Sequence, residues 1–411
     1  MSKLEEIKTK LAAYGQEHLV AFAGELSNDE REKLLTRLET LDLDLAKKLY
    51  DWRNDISTGD DLIEPMAYVD RLKLSEEENA KYIAIGEDIL RAGKFASVTM
   101  AGGQGTRLGH SGPKGTYMVE VGETKSLFEI TCETLKRAYV KYNAYIPWYI
   151  MTSRENNDDT VNFFEANNYF GYPKEYVAFF KQGELPMIRE DGKILLETKS
   201  MVREAADGHG GIFEAMDKNN IVKDMSKRGI EWIFIGGIDN ILLNVVDPLF
   251  IGMAADKGVK AASKTVVKAN PQEKVGVFCK RNGRPSVIEY SEISEEMANL
   301  RDDNGELLYG ESHILCNLFN IEALELIGHE KLPYHAAHKK SNYIDENGSE
   351  FVPEAPNAYK FEAFIFDAFS KVEDMLLLRS LREHEFAPIK NKEGVDSPET
   401  AVALYKAHWN I

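Results

Sequence analysis

The stretch from Phe95 to Ala101 runs straight into Gly102, Gly103 and Gly105, then into Arg107, Gly109 and the closing triplet Pro113, Lys114 and Gly115. An apolar run of this length reads as a buried strand, and glycines at its carboxyl end read as a loop stripped of obstructing side chains. Bare backbone N–H groups in such a loop form a nest for an anion, and Arg107 and Lys114 add two permanent cations beside it. Further candidate strands follow at Trp148–Thr152, Val177–Phe180, Trp232–Gly236 and Ala261–Val267, separated by amphipathic helical stretches that include 128–142 and 161–168. That alternation predicts an α/β fold with a mixed, mostly parallel sheet covered by helices on both faces. Ligands in such sheets sit at the carboxyl ends of strands, where the glycine loop and the segment Gly236, Gly237, Ile238, Asp239 and Asn240 both fall.

The surrounding sequence sets limits. The chain has 411 residues, 43% of them hydrophobic and 29% charged, with a formal net charge of −18. Such an acidic balance argues against nucleic acid as a partner, and no apolar run approaches the roughly 18 residues of a membrane helix. A charged amphipathic start and three widely spaced cysteines (Cys132, Cys279, Cys316) point to a cytoplasmic protein with reduced thiols. Residues 1–93 read as a helical region, with Leu34, Leu38, Leu41, Leu45 and Leu49 on one helix face and capping-box spacing at Ser27/Glu30 and Ser75/Glu78. Residues 94–334 form the expected core, including a hairpin of Val275–Cys279 and Val287–Tyr290 around Asn282 and Gly283, and 335–411 form a C-terminal region closing on a helix from Pro398 to Trp409. His335 and His338 have no accompanying ligand set in the sequence and are read as structural.

Among phosphate motifs, the P-loop fails because Lys114 lies between Pro113 and Gly115, and the dinucleotide fingerprint fails because Leu108 stands where its third glycine belongs. An NAD-dependent oxidoreductase is therefore a remote alternative. The string Gly-Gly-x-Gly-Thr-Arg-Leu-Gly followed by Pro-Lys is complete, and it resembles the signature of sugar nucleotidyltransferases. Six more blocks follow in order. They are 179–186, 207–211, 238–252, 287–293, 356–360 and 382–391. Together they resemble the UDP-N-acetylhexosamine pyrophosphorylase / UTP:hexose-1-phosphate uridylyltransferase family, the UDP-glucose pyrophosphorylase type 1 group, in a short bacterial-type member.

The resemblance implies a Rossmann-like, GT-A-like nucleotidyltransferase core and a set of roles. Met100, Ala101, Gly102 and Gly103 match the segment beneath the nucleotide, Gln182 the reader of the uracil edge, and Gly208 a backbone contact to the nucleotide. Asp239 matches the ligand of a Mg²⁺ shared with UTP, a hard oxygen donor for a hard cation. Arg107, Lys114 and Lys360 match cations around the UTP phosphates. Lys390 matches the lysine that receives the sugar phosphate, and His209, Glu289, Tyr290 and Asn317 match contacts to the sugar. The implied reaction is in-line attack of a hexose 1-phosphate on the α-phosphate of UTP, with pyrophosphate leaving. Because the nucleophile is already an anion, catalysis rests on positioning and charge neutralisation, with Arg107, Lys114 and Lys390 as the catalytic cations. UTP, hexose 1-phosphate and pyrophosphate are the implied partners of a monomer or weak homodimer. Glu289 and Tyr290 favour N-acetylglucosamine 1-phosphate as the acceptor. His209, standing where acetylhexosamine enzymes usually carry Asn, favours glucose or galactose 1-phosphate. A non-catalytic sugar-nucleotide sensor is expected to lack Arg107, Lys114, Asp239 or Lys390, and all four are present. Eukaryotic relatives continue into a further β domain after the block ending at Asn391, and that appendage is expected to be absent.

Overall fold

The computed structural model describes residues 2–53 and 61–411. They group into two compact units that interleave along the chain. Unit 1 draws on Met1–Gly59, Gly183–Gly211 and Leu332–Phe364, and unit 2 on Asp60–Gln182, Ile212–Lys331 and Ile365–Ile411. This division by compactness cuts across the consecutive stretches 1–93, 94–334 and 335–411.

In unit 1, helices α1 (Lys3–Ala12), α2 (Asn28–Thr40) and α3 (Leu43–Trp52) pack their apolar faces together. The evenly spaced leucines do not share one helix. Leu41 is extended (φ −69°, ψ 123°), and the Asp42 side chain accepts from Leu45 N to start α3. Leucine periodicity continues through this break because both helices present the same side to one core. Asp42 is the residue that ends the register. Ser27 forms the expected capping box with Glu30. The later segments add a three-stranded antiparallel sheet of Ile188–Arg189, Ala358–Glu362 and His335–Lys339. In that sheet His338 stacks on Tyr359 and its Nε2 lies 3.0 Å from Glu190.

Unit 2 is built on a mixed sheet. The eight strands along the sheet and the principal helices are, in chain order, β1 (Val69–Asp70), α4 (Glu76–Arg91), β2 (Phe95–Met100), α5 (Leu127–Tyr142), β3 (Trp148–Thr152), β4 (Val177–Lys181), β5 (Trp232–Gly237), α6 (Pro248–Lys257), β6 (Ala261–Val267), β7 (Glu311–Asn320), β8 (Leu376–Arg379) and α7 (Pro398–Trp409). The strand order is β1-β8-β6-β7-β5-β2-β3-β4, and every neighbouring pair is parallel except those of β7, which runs against both β5 and β6. All six residues of β2 and all five of β3 are buried, as continuous apolar runs between two helical layers should be. Helices α4 and α6 cross so closely that a Cβ on Gly86 would stand 1.9 Å from the Pro248 carbonyl oxygen, and one on Gly252 would stand 1.9 Å from that of Tyr82. Only glycine permits that approach.

Two expectations need correction here. Residues 61–93 are not purely helical: β1 pairs with β8, and Ile63–Pro65 pairs with Cys279–Arg281. These strands are two and three residues long, and their partners lie far along the chain, so no local periodicity marks them. The hairpin is tighter than expected, with strands Val277–Arg281 and Arg284–Ile288 joined by Asn282 (φ 52°) and Gly283 (φ 76°). Two positive φ values in a two-residue loop match the strand twist, and Asn-Gly supplies them at low cost. No helix among the described residues is long and apolar enough to cross a membrane.

Candidate active site

Register brings the chemistry-bearing segments of unit 2 to one sheet edge. Met100 of β2 is level with Gly237 of β5 and with Met151 of β3, and Thr152 is level with Lys181 of β4. The glycine loop, Asp239 and Gln182 therefore leave adjacent strands at the same carboxyl edge. Backbone bonds tie these exits together: Ala101 N donates to Met151 O, Ile238 N to Met100 O, and Gln182 N to Thr152 O.

The glycine loop closes on itself. Lys114 N donates to Gly103 O at 3.0 Å and Gly105 N donates to Gly112 O at 2.9 Å, so Lys114 returns to the loop's root. Asn156, which has no solvent exposure, donates its Nδ2 to Ala101 O at 2.9 Å and to Gly103 O at 3.2 Å. With those carbonyls held inward, the loop's anion-facing edge is left to N–H groups. A Cβ on Gly102 would lie 2.8 Å from both amide atoms of Gln182, so the side chain expected to read uracil rests directly on the loop. Arg107 is exposed and has no ion pair among the described residues.

Lys114 Nζ lies 3.4 Å from Asp239 Oδ2, with the two side chains 17% and 22% exposed. The sequence separates these groups by 125 positions. Asp239 is in turn attached to the segment that carries Lys390, because Ile389 N donates to Asp239 O at 2.8 Å. Lys390 Nζ stands 3.7 Å from Asp396 and 5.4 Å from the Phe386 ring. Beneath this junction lies a buried ion cluster. Lys264 Nζ is 2.9 Å from Asp247 and 2.8 Å from Glu385, and Arg71 reaches Asp247 at 2.5 Å. Burial alone would raise the Asp247 carboxyl, but Lys264 and Arg71 outweigh it and hold the group below the ordinary carboxylate range. Burial raises the Glu385 carboxyl, and Lys264 offsets this only in part.

The remaining candidates fall into separate places. Glu289 and Tyr290 follow the second hairpin strand, and Glu289 Oε1 would stand 3.2 Å from a Cβ on Gly276. Asn317 sits in the middle of β7 with no exposure; its Oδ1 accepts from Ser263 Oγ and lies 3.2 Å from His313 Nε2, while its Nδ2 has no acceptor among the described residues. Gly208, His209 and Lys360 belong to unit 1 and are brought together there. Ala363 N donates to Asp207 O at 2.7 Å and Gly210 N to Ala363 O at 2.9 Å, which lays the glycine turn along the strand end that carries Lys360. His209 packs against the Phe364 ring at 5.4 Å, and Lys360 Nζ lies 2.7 Å from Glu362. Asn156 and Asn240 are structural partners of the site to which the sequence assigns no role. An asparagine just after a strand was the available signal, and it is common in loops.

The geometry is that of a strand-edge polyphosphate cradle with a carboxylate facing one of its cations. A model of the family described as UTP--glucose-1-phosphate uridylyltransferase matches residues 58–396. The chain belongs to that family. This uridylyltransferase is 35% identical, over its whole length and 85% of the relative's, to the human UDP-N-acetylhexosamine pyrophosphorylase-like protein 1. It is 37% identical, over 95% of the chain and 87% of the relative, to the UDP-N-acetylglucosamine pyrophosphorylase of Saccharomyces cerevisiae. Among solved structures, the UDP-N-acetylglucosamine pyrophosphorylase of Trypanosoma brucei, in complex with an inhibitor, matches with a TM-score of 0.84 and 31% identity, covering 98% of this chain and 84% of that one. The UDP-glucose phosphorylase of the same organism shares the fold at a TM-score of 0.67 and 16% identity, over 94% and 78% of the two chains.

Proposed function

We propose that this uridylyltransferase takes N-acetylglucosamine 1-phosphate as its acceptor, forming the UDP-sugar and pyrophosphate from UTP. The observation that carries the choice of sugar is the contrast in identity between two superposed enzymes of one organism: 31% to the trypanosomal UDP-N-acetylglucosamine pyrophosphorylase against 16% to its UDP-glucose phosphorylase. An oxygen of the sugar phosphate attacks the α-phosphorus of UTP, the bond from that phosphorus to the β-bridging oxygen breaks, and pyrophosphate departs with the electron pair. The loop N–H groups of 102–104 hold phosphate oxygens, Gln182 both donates to and accepts from the uracil edge, and Lys114 and Arg107 offset the charge that develops on the departing pyrophosphate. Lys390 receives the phosphate of the incoming sugar. In unit 1, Lys360 is assigned to the UTP phosphates, Gly208 to the nucleotide and His209 to the sugar. Glu289, Tyr290 and Asn317, whose buried Nδ2 has no acceptor among the described residues, are the sugar contacts assigned to unit 2.

Asp239 fits as a holder of Mg²⁺. Magnesium takes one or two protein carboxylates and draws its other ligands from substrate phosphates and water, so a single partly exposed carboxylate beside a phosphate cradle suffices. When bound, the ion withdraws charge from the phosphate oxygens it touches.

The position of His209 favours the glucose 1-phosphate branch, and one experiment separates the two readings. Steady-state kcat/KM measured with UTP and each of the two sugar phosphates is expected to favour N-acetylglucosamine 1-phosphate by more than about tenfold, or roughly 1.4 kcal/mol. A preference for glucose 1-phosphate overturns the choice of sugar and leaves the uridylyl transfer in place.

A further inference from the structure

We infer that Asn240 is the positioning residue for Lys390: its side-chain amide clamps the segment that carries the lysine onto the loop that carries Asp239. The inference rests on the roles given to those two residues above. Asn240 is 8% exposed, and both of its amide atoms are spent on the chain. Nδ2 donates to Glu385 O at 2.6 Å, while Oδ1 accepts from Ala387 N at 2.8 Å and from Leu242 N at 3.3 Å. Ile241 N adds a bond to Ala387 O at 3.2 Å and Ile389 N one to Asp239 O at 2.8 Å. Of the four hydrogen bonds that join 239–241 to 385–389, the Asn240 side chain makes two, and every hydrogen bond it makes is to backbone.

The clamp matters because Lys390 itself makes no hydrogen bond to the loop among the described residues. Among the described residues its Nζ is restrained from within its own segment alone, by Asp396 and the Phe386 ring, and its side chain is 41% exposed. Its backbone N likewise bonds to Asp396 O at 2.7 Å. Where the ammonium stands relative to Asp239 is thus inherited from how the segment docks. The docking is anchored from below as well. Glu385, whose carbonyl accepts from Asn240, places its carboxylate on Lys264 in the buried ion cluster. A position that must donate and accept at once suits asparagine. Aspartate keeps the bond from Ala387 N but sets a carboxylate oxygen against the Glu385 carbonyl.

The test is a double-mutant cycle of wild type, Asn240→Asp, Lys390→Ala and the double variant, with kcat/KM measured for N-acetylglucosamine 1-phosphate and for UTP. Asn240→Asp is expected to lower kcat/KM for the sugar phosphate about 10–100-fold, the scale of a misplacement near 1 Å, and to shift KM for UTP less than about threefold. In the Lys390→Ala background the same substitution should add less than about twofold, because a residue that acts through Lys390 has nothing left to position. Full additivity with a crippled Lys390→Ala, or wild-type kcat/KM in Asn240→Asp, overturns the inference alone. Near-normal turnover of Lys390→Ala removes the role of the lysine itself and the inference with it. Asn240→Ser, which keeps one hydrogen-bonding oxygen, takes the place of Asn240→Asp should the latter not fold. Loss of fold in both makes Asn240 purely structural and overturns the proposal.

Discussion

Gly103 in the glycine loop of unit 2 and the glycines of the turn in unit 1 look alike in sequence and are glycine for opposite reasons. A Cβ on Gly103 would meet nothing within 4 Å, so the space beside it is kept open. A Cβ on Gly210 would stand 2.6 Å from the Phe364 backbone, and one on Gly208, whose φ is +87°, would stand 2.3 Å from the Ala363 carbonyl oxygen. At Gly103 the missing side chain leaves open space, whereas Gly102 and Gly105 of the same loop are packed against Gln182 and His110. In the turn the space is already taken by the protein. A run of glycines therefore states only that a side chain is unwelcome there, and the neighbours decide whether the reason is binding or packing.

This contrast can be broken by substitution. The largest effect is expected from Lys114→Ala, the cation beside the open loop: turnover should fall about 10²–10³-fold, as when one preorganised donor to a developing charge is removed. Its ion pair with Asp239 is partly solvated, so the thermal midpoint should stay close to wild type. An unaltered kcat would refute its placement at the phosphates. Gly210→Ala should act on stability instead, at a cost of about 1–3 kcal/mol for forcing a methyl into filled space, read as an earlier denaturant midpoint for unit 1. Gly103→Ala should leave that midpoint within about 0.5 kcal/mol while raising KM for UTP several-fold. If Gly103→Ala destabilises and Gly210→Ala does not, the distinction between the two regions is wrong.

The smallest effect concerns acid. The Asp247 carboxyl is held below its ordinary value, so its contribution is complete above about pH 4 and is lost as pH falls through the folded value. Glu385 is raised and acts in the opposite sense, contributing most at low pH and less as pH rises through its folded value. As pH falls the Glu385 gain comes first and the Asp247 loss follows, so the former partly offsets the latter in the wild type. Glu385→Gln should leave the Asp247 term exposed, so that urea midpoints measured from pH 6 downward fall more steeply than in wild type.

How much of this was legible in the sequence depended on whether a signal was local. Strands β2 and β3 were readable because each is a mostly apolar run buried on both faces, β6 because small and β-branched residues flank its buried lysine, and α7 because Ser397 and Pro398 announce its start. The strands Ile63–Pro65 and Val69–Asp70 were not, since their pairing with Cys279–Arg281 and with Leu378 and Arg379 is their whole reason to be extended. The site divides in the same way. Lys114 and Asp239 each sit in a recognisable motif, and the 3.4 Å between them follows from the level register of β2 and β5. Asn156 and Asn240 gain their meaning only from carbonyl and amide groups 53 to 55 and 145 to 147 positions away.

The three cysteines, finally, make the molecule its own clock. Cys132, Cys279 and Cys316 are the only thiols in the sequence, all are buried, and all belong to unit 2. Burial pushes the first two up to about 12 and about 11 and raises the third as well, so hardly any thiolate is present at neutral pH. A thiol-reactive dye added to the native enzyme will therefore label it only as fast as unit 2 opens, and the same reagent stays blind to any loosening of unit 1.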